Sequence, residues 1–122
     1  YIFDAIHKNT LIDYNLYESI EVYKSTSFKI ELERAENFID DKPFGIEIDL
    51  DCIQNFPSSA MTPSGFTTQQ TRRFVHFFGK NSNANYLHIC EGAPAIMENK
   101  TASGQVGKFI SYLISDFIKA KS

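Results

Sequence analysis

Long apolar runs are missing from this chain; none approaches the roughly 18 residues that a membrane-crossing helix needs. Cysteine is scarce. The two present, Cys52 and Cys90, form no CxxC pair and would make a thin disulfide framework. Each lies in or beside an apolar stretch, so both are read as buried thiols in a reducing, cytoplasmic compartment. An excess of one charge sign is missing too. The net charge is −3, with signs mixed along the chain, which gives no electrostatic grip on nucleic acid or an anionic membrane. No initiator Met and no basic–apolar–small leader pattern open the sequence, so it is read as beginning inside a larger protein. The lysine-ended "FIKAKS" reads as a natural terminus. Internal repeats and low-complexity tracts are absent. What is there is ordinary for one folded domain with a real core: 122 residues, 43% hydrophobic and 22% charged.

The first 25 residues carry the weakest pattern. "YIFDAI" reads as a helix end, and "LIDYNLYESIEVY", mixing aromatic and β-branched residues, as a short strand and loop. From Ser27 the pattern sharpens. Phe28, Leu32, Ala35 and Ile39 recur at the spacing of one helical face. Ser25, Thr26 and Ser27 offer cap oxygens, and Pro43 bars continuation. Phe44 to Leu50 follows as a strand, with Phe44, Ile46, Ile48 and Leu50 on one face. Thr67 and Gln70 make a capping box for a helix that turns Phe74, Val75, Phe77 and Phe78 inward and stops at Gly79, read as its C′ residue. Tyr86 to Glu91 is a second strand, ended by Gly92 and Pro94. Val106, Phe109, Ile110, Leu113 and Phe117 line a last helix, with Ser103-Gly104 in its first turn and Gly107 as a close-packing site. Helices alternating with buried strands predict an α/β layer architecture with parallel strands and right-handed crossovers.

Ligands in such sheets collect at the carboxyl ends of strands. Both strands here end in acid: Asp49 and Asp51 on the first, Glu91 on the second. Alternation along a strand predicts one shared face for Asp49 and Asp51. Two converging carboxylates repel unless a cation lies between them, and carboxylate oxygen suits a hard ion such as Mg²⁺ or Mn²⁺. Two solvated acids making caps or turns at a strand end would give the same pattern.

The pattern does not stand alone. Asp49-Leu50-Asp51, then Thr62-Pro63-Ser64-Gly65-Phe66-Thr67, then Glu91-Gly92-Ala93-Pro94 resemble, in order and spacing, three blocks of the ureohydrolase family of arginases, agmatinases and formimidoylglutamases. The resemblance covers roughly residues 44 to 118, about the C-terminal third of a family member. It implies the C-terminal part of a single arginase-like domain, a three-layer α/β sandwich with a mostly parallel sheet. Asp49 and Asp51 would then ligate a pair of Mn²⁺ ions sharing a hydroxide that attacks the amidino carbon of a guanidino or formimidoyl substrate, releasing urea or formamide. Glu91 would receive the cationic end of that small molecule. The formimidoylglutamase branch, in histidine breakdown, is favoured over arginase by overall likeness. Family members often assemble near this end, which allows for a homo-oligomer.

The departures are specific. Glu47 stands where the family has Ser, Gln54-Asn55 where it has Asp-Pro, and His88 where it often has an acid. Glu47 adds a third carboxylate to the Asp49 face, open to pairing with a base. The family's other ligands, a His in a Gly-rich turn and an Asp-x-His-x-Asp block, do not occur in the chain. Two aspartates cannot complete a dinuclear centre, so the polypeptide by itself is expected to be inactive.

Other candidates have plainer readings. His7 is read as surface, His76 as a partly exposed helix residue, and His88 as a hydrogen-bonded core or supporting histidine facing away from Glu91. Arg72 and Arg73 read as a solvated helix face. Ser58, Ser59 and Ser64 are loop serines with no base to activate them. Two rivals remain. One is a non-catalytic relative with a decayed metal site. The other is a haloacid-dehalogenase-type phosphatase, which also uses Asp-x-Asp but has Thr or Val where this chain has Ile53.

Overall fold

The computed structural model describes residues 4, 8, 11–94 and 100–122. His7, and all of "YIFDAI" except Asp4, lie outside the described residues. The chain divides into two compact units, Tyr1–Asp41 and Lys42–Ser122.

The first unit contains helices α1, Tyr17–Glu21, and α2, Phe28–Ile39. The strand expected here is not formed. Val22 and Tyr23 N–H groups both donate to the Glu18 carbonyl, at 3.0 and 2.7 Å, closing a helical turn that buries Ile20. One buried contact outweighs the β-branched composition, as strand propensity depends on a pleated surface to pack against. α2 begins where a cap oxygen is available: Ser27 Oγ accepts from Ile30 N–H at 3.2 Å, so Ser27 is the cap among the three candidates. Leu32 is buried on its inner face, with Phe28, Ala35 and Ile39 half-buried.

In the second unit, β1, Phe44–Asp49, and β2, Ala84–Cys90, form a parallel pair, with Glu47 opposite His88 and Asp49 opposite Cys90. The architecture is α/β with a parallel sheet. Helices α3, Thr68–Gly79, and α4, Lys100–Lys121, pack against each other and against the strands. Ile46, Ile48 and Leu50 turn towards the core, while Glu47 and Asp49 alternate outwards. Leu50, Ile53, Val75 and Leu113 are fully buried. Each such side chain contributes about 1.5–3 kcal/mol of transfer free energy, so these positions hold the sheet to its helices.

α3 starts on the expected capping box. Gln70 N–H donates to Thr67 Oγ1 at 3.1 Å, and Thr67 N–H to Gln70 Oε1 at 2.9 Å. Its end differs from expectation. Gly79 has no positive φ and is the last helical residue, not a C′ cap. It is small because α4 crosses there: a Cβ would stand 2.9 Å from Ala120 Cβ. Gly107, by contrast, meets nothing within 4 Å and is no packing site. Arg73 is solvated as expected, but Arg72 joins α3 to α4 through a two-pronged ion pair with Asp116.

Candidate functional site

β1 stops one residue short of its expected end. Asp49 Oδ1 accepts from Asp51 N–H at 2.9 Å and so caps a tight 3-10 turn, Leu50–Cys52. Asp51 therefore leaves the strand, and the two acids adjoin through this turn instead of through strand alternation. A short polar side chain competing for a nearby backbone donor is the physical reason.

The loop that follows folds back on itself. Gln54 N–H donates to Phe66 O at 3.0 Å and Phe66 N–H to Cys52 O at 2.9 Å, with Ile53 bridging Phe66 and Gln54 bridging Thr62. Gly65 makes this approach possible, since a Cβ there would lie 2.4 Å from Cys52 O. The loop then meets the end of β2. Ser58 pairs with Gly92, and Ser59 N–H donates to Glu91 O at 3.0 Å.

This path brings the sequence-predicted acids to one place. Asp51 accepts from Ala60 N–H at 2.8 Å and from the Ser59 hydroxyl at 3.1 Å. The same hydroxyl bonds to Glu91 Oε2. The Ala60 N–H first, and with it the Ser59 hydroxyl, hold the Asp51 carboxyl below the usual carboxylate range. Ser58 Oγ is buried near Asp51 but outside hydrogen-bonding geometry, with no partner of its own. Glu91 has φ 64°, in the left-handed region that side-chain-bearing residues seldom adopt.

Desolvation first, then the charges of Asp49, Glu91, Glu47 and Asp51, push the Cys90 thiol up. Desolvation of the sulfur atom, then the two aspartates, likewise raise Cys52, although the residue as a whole is exposed. Neither thiol is bridged, but the expectation of burial fails, because Cys52 is exposed and Cys90 half-buried. Both stand next to the acidic strand ends, where the core gives way to solvent.

The structure corrects the histidine and serine readings. His88 is exposed, not a core residue, because it lies opposite Glu47 on the outward face of the sheet and binds that carboxylate through Nδ1. Glu47 thus has its base. His88, with Tyr86 second, holds Glu47 below the usual range, and Glu47 in turn pushes the Tyr86 phenol up. His76 is exposed on α3, as expected. Ser64 serves a turn, its N–H donating to Thr62 Oγ1 at 3.2 Å. Ser59 is the residue that sequence reasoning missed: it has carboxylates for neighbours after all. Its partner Glu91 is 32 positions away, so no local signal announces the contact.

The aspartates suit a hard cation. Each has one oxygen held by a backbone N–H and retains further lone pairs on the other. No group of three or more His, Cys, Asp or Glu side chains able to hold a metal is assembled among the described residues. No helix among the described residues is long and apolar enough to cross a membrane.

Neither a protein-family model nor a curated protein sequence matches the chain. Solved structures do. The arginase of Entamoeba histolytica, in complex with L-ornithine, is 25% identical, with a TM-score of 0.61 over 76% of this chain and 33% of its own. The Trypanosoma cruzi formiminoglutamase with Mn²⁺ is 20% identical, with a TM-score of 0.62 over 83% of this chain and 34% of its own. A hypothetical agmatinase from Burkholderia thailandensis is 20% identical at a TM-score of 0.61, over 80% and 32%. The chain thus spans about a third of the length of the solved structures it matches.

Proposed function

From a chain that carries part of the ureohydrolase fold, we infer that it supplies the acidic half of the active site of a metal-dependent linear amidine hydrolase. Asp49 and Asp51 hold Mn²⁺, and Glu91 receives the cationic guanidino or formimidoyl end of the substrate. When bound, the metal ions activate the attacking nucleophile and stabilise charge that develops on the substrate. The chain's own part is positioning. The turn at Leu50–Cys52 fixes the two aspartates, and Glu91 offers a carboxylate to which an amidinium donates charge-assisted hydrogen bonds. One observation carries the reading: acids from the ends of both parallel strands meet at a single hydroxyl. Formimidoylglutamate, a product of histidine breakdown in the cytoplasm, is the favoured substrate over arginine.

The test is Mn²⁺ content and amidine hydrolysis by the full-length protein. Bound Mn²⁺ that is lost in Asp49→Asn and Asp51→Asn, together with release of formamide or urea, is the expected result. A second reading, a non-catalytic protein with a decayed site, is favoured by the mutual pairing of Glu47 with His88. A full-length protein that takes up no Mn²⁺ and hydrolyses no amidine selects it.

A further inference from the structure

Neither Asp51 nor Glu91 is held by the ladder of its own strand. Asp51 lies beyond β1 in the tight turn, and Glu91 has left β2 at φ 64°. A side-chain-bearing residue stays in that conformation only where its surroundings over-determine it. Here they are residues 57–60. Pro57 O accepts from Ala93 N–H at 3.3 Å, and Ser58 pairs with Gly92. Ser59 N–H holds the Glu91 carbonyl at 3.0 Å, and Ala60 N–H holds Asp51 Oδ1 at 2.8 Å. At the centre, the Ser59 hydroxyl reaches both carboxylates.

We propose that Ser59 is a positioning residue: its hydroxyl ties the metal-binding carboxylate of Asp51 to the substrate-binding carboxylate of Glu91 and sets how the two face each other. This rests on the amidine-hydrolase reading for its consequence, though not for its geometry. A hydroxyl suits the task because its single proton is shared between two carboxylates that can only accept, and so stands between like charges that otherwise repel. Ser59 is not a packing residue, because its side chain is exposed.

Exposure also makes the test clean. Ser59→Ala opens no cavity, and Ser59→Thr has room for a methyl while keeping the hydroxyl. In the full-length protein, Ser59→Ala is expected to raise KM about tenfold and leave kcat within about threefold, the effect of one lost hydrogen bond to a charged group. Ser59→Thr is expected to restore the parent KM. Two crystal structures supply a readout that needs no activity. The Glu91 carboxylate should turn away from Asp51 in Ser59→Ala and stay in Ser59→Thr. Carboxylates unmoved in Ser59→Ala overturn the proposal, as does an equal loss in both variants. A parent protein without amidine hydrolysis refutes the functional reading instead, and the pair of crystal structures still decides the role of Ser59.

Discussion

Replacing Arg72 by leucine should destabilise the protein more than replacing Asp116 by asparagine, although both remove one ion pair. Arg72 Nε and Nη2 lie 2.6 and 2.9 Å from the two Asp116 oxygens. The halves differ in exposure: 44% for the arginine side chain, 12% for the aspartate. A hydrogen bond to a charged group contributes about 1.5–3 kcal/mol. Solvent screening at the exposed guanidinium lowers this pair to about 1–2 kcal/mol. Asp116→Asn loses about 1 kcal/mol, because Arg72 turns to water and the amide still accepts a hydrogen bond. Arg72→Leu loses the pair and also its contact over the Tyr112 ring, 4.9 Å from the centroid. That contact adds about 0.5–1 kcal/mol. The variant further leaves a carboxylate with little water around it, so the expected total is about 2–3 kcal/mol.

The pH dependence has a definite sign. The Arg72 guanidinium holds the Asp116 carboxyl below its usual range. A group depressed in this way adds stability that is complete above its unfolded pKa and is lost as pH falls through the folded one. The gap between the parent and Arg72→Leu is therefore full at neutral pH and narrows on acidification below the ordinary aspartate range. Urea unfolding followed by far-UV circular dichroism and tyrosine fluorescence reads both effects, since the chain has six tyrosines and no tryptophan. Equal losses in the two variants, or a gap that does not narrow in acid, would refute the reasoning.

Gly65→Ala sets a Cβ against the Cys52 carbonyl and is expected to destabilise by about 1–3 kcal/mol. Gly104→Ala, with open space around it in α4, should instead stabilise by about 0.5–1 kcal/mol, and thermal unfolding that ranks them otherwise contradicts the loop geometry. Glu47→Gln weakens the hydrogen bond and removes the charge that together raise Tyr86, so the phenol should titrate lower, nearer its ordinary range, in an NMR titration of labelled tyrosine. An unchanged Tyr86 would mean that its bond to Glu47 is not formed.

The helices were legible because their signals are local. The Thr67–Gln70 box and the apolar stripe of α4 need no knowledge of the rest of the chain. The position of the acids near the strand ends was legible for a similar reason, since each follows directly on an apolar run. Their local geometry was not. Asp49 is a candidate site residue and also the side chain that ends the strand, and alternation rules say nothing of that second role. Gly79 misled because glycine at a helix end has two explanations, a left-handed cap or a close crossing, and only the neighbouring helix decides. The bonds of Ser59 to Glu91 and of His88 to Glu47 span 32 and 41 positions, beyond any pattern a window on the sequence can register.

The stitching of residues 52–66 to both strand ends has a mechanical consequence. The segment is bonded to itself at Cys52–Phe66 and Asn55–Thr62 and to the end of β2 at Pro57 and Ser59, so residues 57–60 cannot shift without breaking the bonds that hold Glu91 and Asp51.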